Sequence, residues 1–209
     1  MNSHPGSGSP SYPLSNVRGH FENVLHTPVS TLFPYIQRHF VPQHLSGYDG
    51  WRLDDQVRWD TSMYLYAPAT SINASVVPVL GEDFQRQVEA FVAHVHTLLE
   101  KFLVVNGFYE REQARELLVQ NQGDIFVTRY VGAEGVRKHM DGTFLSVLIG
   151  LNSDFEGGEL LVWDEEGEHT IRYTTGDVVI TAGDVLHMGS PVTSGERWII
   201  VVFFPDLSA

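Results

Sequence analysis

The residues best suited to chemistry are His139 and Asp141 in the stretch Arg137-Lys138-His139-Met140-Asp141, His187 forty-eight positions after His139, and Arg197 ten positions further on. Two imidazoles and one carboxylate can fill one face of an octahedral metal ion and leave the remaining positions open, the ligand set of non-heme Fe(II) oxygenation. His139 and Asp141 stand two apart, so in extended backbone both side chains point to the same side. His187 follows the turn Thr181-Ala182-Gly183-Asp184 and has to come from another strand. Each piece alone is weak, because a His-x-Asp pair arises easily by chance. The other histidines set the comparison. His94 and His96 flank a helical stripe on opposite sides and cannot share an ion. His4, His20, His26, His39, His44 and His169 have no carboxylate or histidine partner at ligand spacing.

Three protein ligands leave room for O2 and a chelating organic acid. The distal carboxylate of such an acid needs a buried cation. Arg197 opens the last apolar stretch, and alternation puts it on one face with Ile199, Val201 and Phe203. Its planar guanidinium can grip a carboxylate through two parallel hydrogen bonds. The plain alternative is a surface ion pair after the turn Ser194-Gly195-Glu196.

These residues need elements to hold them. Apolar runs rich in Val, Ile, Phe, Tyr and Thr alternate with Gly- and acid-rich turns over 124–131, 143–151, 159–163, 169–173, 177–181, 185–188 and 197–204, which indicates a β-sandwich or barrel. The last strand is apolar on both faces, Ile199, Val201 and Phe203 on one and Trp198, Ile200, Val202 and Phe204 on the other, so it is covered on both sides. Upstream, Phe84, Val88, Phe91, Val95, Leu99 and Phe102 recur at helical spacing over 83–104, with Asn106-Gly107 as the stop. A second helix covers 110–120. Pro34 suits the start of a short helix through Phe40, and Met63–Tyr66 and Ser75–Val77 read as short strands. The fold class is therefore α+β, mainly β, with helices bracing the β unit. The organisation reads as a flexible tail over 1–18 and a single domain over 19–209, made of a helical support region (19–122) and a β core (123–205).

With 209 residues, 43% of them hydrophobic, the chain can bury one substantial core. Its formal charge of −13 repels phosphate backbones and anionic lipid, which argues against nucleic-acid and membrane partners. There is no cysteine, so any metal is held by His, Asp or Glu. Neither a signal peptide nor an apolar run of membrane-spanning length stands out, and the expectation is a cytoplasmic protein. No feature specifies an oligomeric state.

Tyr130, His139-x-Asp141, Leu151-Asn152, Gly157-Gly158-Glu159-Leu160, Gly176-Asp177, His187, Pro191-Val192, Gly195 and Arg197 occur in this order over roughly 124–205. The pattern resembles the prolyl 4-hydroxylase type of 2-oxoglutarate- and Fe(II)-dependent oxygenases. The resemblance implies a double-stranded β-helix (jelly roll), with His139, Asp141 and His187 as iron ligands and Arg197 on the distal carboxylate of 2-oxoglutarate. It implies Tyr130 as a second co-substrate contact and Ser146 as a hydroxyl contact from the next strand. That family's prolyl hydroxylases often carry a tyrosine where this chain has Gly150, so the co-substrate pocket is expected to be shaped differently. The implied reaction consumes O2, with ascorbate as an accessory reductant. It converts 2-oxoglutarate to succinate and CO2 and hydroxylates an unactivated C–H bond. Asp141 favours hydroxylation, since halogenating relatives lack the carboxylate. The implied substrate is a prolyl or other side chain of a protein or peptide. A free amino acid or small metabolite, or a non-catalytic metal-binding sensor module, are the alternatives. Substrate contacts are expected in loops 44–60, with Tyr48, Trp51 and Arg52, and 131–138, with Arg137 and Lys138.

Overall fold

The computed structural model describes residues 18–41, 50–52, 57–58, 62–67, 74–120, 122–164 and 167–205. Two antiparallel sheets face one another. The major sheet runs, in spatial order, β1 (Arg18–Phe21), β11 (Val178–Ala182), β7 (Leu145–Gly150), β14 (Glu196–Phe204), β5 (Asp124–Val131) and β4 (Ser62–Tyr66). The minor sheet runs β10 (Gly167–Ile171), β9 (Leu160–Asp164), β12 (Leu186–Gly189), β6 (Glu134–His139), β2 (Gly50–Arg52) and β3 (Val57–Arg58). A two-stranded pair joins β8 (Glu156–Gly157) to β13 (Val192–Ser194). From β5 onward the chain passes back and forth between the sheets, the winding of a double-stranded β-helix. The sequence-based fold class therefore holds.

Alternation along β14 organises the molecule. Ile199, Val201 and Phe203 point into the space between the sheets, together with Arg197. Trp198, Ile200, Val202 and Phe204 point the other way, and all four are buried. Helix α1 (His26–His39) covers that outer face with Val29, Leu32 and Ile36 buried. Helix α2 (Glu82–Val105) adds Phe84, Val88, Phe91, Val95, Leu99, Phe102 and Leu103. Phe33 and Phe40 meet Trp198 edge-on at 5.7 and 4.9 Å. Helix α2 ends at Asn106 and Gly107, whose φ of 71° a residue with a Cβ adopts at a cost. Helix α3 (Arg111–Gln120) follows, with Ala114 and Leu118 buried.

Several expectations change. Helix α1 starts at His26 rather than at Pro34, because Val29, Leu32 and Ile36 form one buried stripe across the proline. Pro34 lies on the exposed side, so the helix bears its cost of about 3 kcal/mol without losing that stripe. Ala74–Val76 is a 3-10 turn, not a strand over 75–77, as no strand among the described residues pairs with it. The stretch 131–138 is not a mouth loop. Most of it is strand β6, laid between β12 and β2. Gly135 permits that approach, since a Cβ there would stand 2.6 Å from the Gly189 carbonyl oxygen. The N-terminal region is also not purely helical, as it adds β1 and β4 to the major sheet and β2 and β3 to the minor one. The expected tail over 1–18 falls outside the described residues except for Arg18, as do Tyr48 and the side chains of Trp51 and Arg52.

Candidate functional site

His139 ends β6 and His187 lies in β12, and the register of the two strands sets them directly opposite each other. Their ring centroids are 4.3 Å apart. Asp141, just beyond β6, places Oδ1 3.2 Å from His139 Nε2 and 3.6 Å from His187 Nε2. The three prospective ligand atoms lie within 4.8 Å of one another, and no other group of three such residues does so among the described ones. Each imidazole has its Nδ1 against a backbone carbonyl, Arg137 O at 2.6 Å for His139 and Val185 O at 2.9 Å for His187. A carbonyl only accepts, so each Nδ1–H donates and each Nε2 is turned toward the cluster, the orientation in which metal-ligating histidines are usually held.

Charge is arranged to the same end. Burial pushes the Asp141 carboxyl upward, but the hydrogen bond from His139, the charge of His187 and the Ser146 hydroxyl outweigh it and hold the group below its ordinary value. Burial lowers His187 and keeps it neutral more readily. Burial also works to lower His139, yet its hydrogen bonds to Asp141 and to the Arg137 carbonyl raise it overall. An ionised carboxylate and two imidazoles whose Nε2 atoms face it suit a divalent ion, which would take the place of the Nε2 proton that His139 gives to Asp141 in the metal-free protein.

Arg197 is 2% exposed, which is rare for an unpaired cation. One Nη donates to the Gly158 carbonyl at 2.6 Å, and Nε has no partner. No carboxylate among the described residues lies within ion-pair distance of it. Its guanidinium stacks over Tyr130 at 4.6 Å and Tyr173 at 5.6 Å from the ring centres. Gly189 leaves it room, since a Cβ there would stand 3.3 Å from the guanidinium. A buried charge without a counter-ion is costly, and the donor set fits an anionic group beside it. Tyr130, Val136, His139, Asp141, His187 and Arg197 border one pocket between the sheets.

The strand register separates the predicted residues into two ends. Tyr130 lies opposite Arg197, at the guanidinium end. Ser146 lies opposite Phe203, at the triad end. The fully buried Ser146 hydroxyl bonds Thr143 Oγ1 at 2.9 Å and also supports Asp141. Sequence reasoning missed Tyr173, the Gly158 carbonyl and two histidine–carboxylate pairs, one of them His20 Nε2 with Asp177 Oδ2 at 3.7 Å. His169 does have a carboxylate partner, Asp164 Oδ1 at 2.9 Å from Nε2, across the β9–β10 hairpin. The signal was the hairpin itself, which brings positions five apart together.

Residues 125–205 match the 2OG-Fe(II) oxygenase superfamily model. A PKHD-type hydroxylase of Psychrobacter sp. (strain PRwf-1) is 42% identical over 72 residues, covering 34% of this chain and 28% of that protein. A PKHD-type hydroxylase of Idiomarina loihiensis is 36% identical over 92 residues, covering 40% of this chain and 42% of the relative. The chain thus matches well under half the length of these relatives. The fold extends further. A Pseudomonas putida prolyl-4-hydroxylase superposes with a TM-score of 0.58 at 13% identity, over 90% of this chain and 92% of that one. The N-terminal half, which showed no resemblance in sequence, is therefore shared at the level of fold. Over residues 125–205 the chain is therefore similar to the 2OG-Fe(II) oxygenase superfamily.

Proposed function

We propose that this protein is a 2-oxoglutarate- and Fe(II)-dependent hydroxylase acting on a side chain of a protein or peptide, with proline as the first candidate. The observation that carries the reading is the unpaired, buried Arg197 in one pocket with the His139–Asp141–His187 cluster. His139, Asp141 and His187 would hold the metal through two Nε2 atoms and a carboxylate oxygen. Arg197 would take the distal carboxylate of 2-oxoglutarate, with Tyr130 packed against the guanidinium, and Ser146 would orient Asp141 from behind. When bound, the metal and 2-oxoglutarate supply the oxidising power for C–H hydroxylation, using O2 and releasing succinate and CO2. The protein's own share is ligand geometry, co-substrate binding and shelter from water. Leu148, Leu160, Ile199 and Val201 line the same pocket and keep it apolar between the charged ends. Support for a peptide substrate comes from the prolyl hydroxylases that share the fold, one of them in complex with a peptide fragment.

The test has two stages. Anaerobic calorimetry with Mn(II) as a redox-inert stand-in should show 2-oxoglutarate binding to the metal-loaded protein, with about 10- to 100-fold weaker affinity in Arg197→Ala, the range expected for a lost charge-assisted contact. Asp141→Ala should lose metal binding and succinate formation. Mass spectrometry after incubation with Fe(II), ascorbate, 2-oxoglutarate and prolyl peptides should then find products carrying one added oxygen. A wild-type protein that binds no 2-oxoglutarate would overturn the proposal, while oxygen addition to free amino acids alone would reassign the substrate.

A further inference from the structure

Arg197 is enclosed by two tyrosines, and only one of them lies on a strand beside it. Tyr130 is its register partner in β5. Tyr173 comes from the β10–β11 connection, and its approach depends on Gly150 at the end of β7. A Cβ on residue 150 would stand 2.3 Å from the Thr174 carbonyl oxygen and 3.3 Å from Tyr173 Cβ. With glycine there, the connection docks directly on the strand end. Gly150 N–H donates to Asp177 O at 3.0 Å, and Gly176 N–H donates to Gly150 O at 2.9 Å. Asp177 locks the same turn by accepting from Thr174 N–H at 2.7 Å.

The docked turn leaves Tyr173 4% exposed, with its ring centre 5.6 Å from the Arg197 guanidinium carbon. Its hydroxyl is buried and has no hydrogen-bond partner. Arg197 Nε is the second orphan at the same place. A buried phenol without an acceptor beside a buried guanidinium without an anion is a pair of donors awaiting one acceptor. Burial raises the Tyr173 hydroxyl well above its ordinary value, with Arg197 the principal opposing influence, so it stays protonated and can donate.

We infer that Tyr173 binds the co-substrate: its hydroxyl donates to the same distal carboxylate that Arg197 holds, from a loop that Gly150 admits beside the Arg197 guanidinium. This rests on the reading of the site as a 2-oxoglutarate site. It gives the carboxylate a further donor beyond the guanidinium nitrogens.

Tyr173→Phe tests it cleanly because the hydroxyl makes no hydrogen bond within the protein. Removing it should leave the melting temperature of the metal-free protein and its Mn(II) affinity at wild-type values. Calorimetric titration of 2-oxoglutarate into the Mn(II)-loaded variant should show about 10- to 100-fold weaker binding, the loss expected for a hydrogen bond to a charged group. The thermal stabilisation given by saturating 2-oxoglutarate in the wild type should shrink accordingly. Wild-type affinity in Tyr173→Phe would overturn the inference while leaving the proposed function standing. A fall in the metal-free melting temperature alongside the affinity would overturn it in favour of a packing role. Absence of 2-oxoglutarate binding by the wild type itself would remove the underlying reading as well.

Discussion

Burial against Phe204, ring centroids 6.2 Å apart, lowers the His96 imidazole from its ordinary 6.5, and its Nε2 has no partner. Burial lowers His187 too, whereas the partners of His139 raise it. These shifts act on stability with opposite signs. Where the folded value is depressed, the unfolded chain takes up a proton that the folded chain refuses. The stability tied to His96 and His187 is therefore complete above the unfolded value and is lost as pH falls through the folded one. For His139 it is present below the unfolded value and lost as pH rises through the folded one. His96 is the residue on which to test this, because it lies on α2, away from the triad. His96→Leu keeps an apolar contact with Phe204 and removes the titration. Melting temperatures of the metal-free wild type and variant should run parallel above about pH 7 and diverge below it, the wild type falling more steeply. Curves that stay parallel down to about pH 5 would show that the imidazole is not depressed. At this scale the triad was legible because two histidines and a carboxylate form a metal-ligand set and because Arg197 shares an alternating face, although β6 ends at His139 and Asp141 reaches the site from just beyond it. Tyr173 and the Asp164–His169 pair were not, as each depends on a loop docking or a hairpin register that no local pattern states.

Among the elements, what could be read depended on whether the signal was local. Helix α2 has a long apolar stripe and a clear stop, and the sequence-based reading of 83–104 differs from Glu82–Val105 by one residue at each end. Strand β5 was read with the bounds it has, Asp124–Val131. Strand β6 was missed because Glu134-Gly135-Val136-Arg137-Lys138 is polar, and its extended form comes from pairing with β12 and β2 rather than from propensity. Gly150 belongs to the same class of hidden constraint. Its burial pattern is that of any core strand residue, yet the neighbouring turn occupies the place of its side chain. Gly150→Ala should cost about 1–3 kcal/mol by overpacking, as the Thr174 backbone must retreat. For a chain of this size that is a fall of roughly 2–12 °C in melting temperature. Because the displaced turn carries Tyr173, 2-oxoglutarate affinity should fall more than Mn(II) affinity in the same variant. An unchanged melting temperature would mean that the turn is not held by this contact.

At the scale of the molecule, the β core has two buried faces and only one of them surrounds the site. The other is formed by Ile125, Val127, Val147, Ile149, Ile180, Ile200, Val202 and Phe204, each at most 1% exposed. Its cover comes from α1 and α2, and strands β1 and β4 close the major sheet at its two edges. The division into support region and core therefore describes roles rather than separable bodies. We expect a fragment of residues 123–205 to expose that face together with the β5 and β11 edges. A contiguous apolar surface of this kind, flanked by open edges, drives association. Expressed alone, the fragment should be insoluble or elute as large aggregates by size exclusion, and it should lack a cooperative thermal transition. The full chain should unfold in one transition, because both sheets and the helices share one continuous core. Leu99 gives the matching point test, since it is fully buried in α2 and far in sequence from every proposed ligand. Leu99→Ala should destabilise the full chain by about 2–5 kcal/mol. Well below its melting temperature it should retain wild-type 2-oxoglutarate affinity. A soluble, cooperatively folding 123–205 fragment that binds Mn(II) would show instead that the core stands without its N-terminal cover.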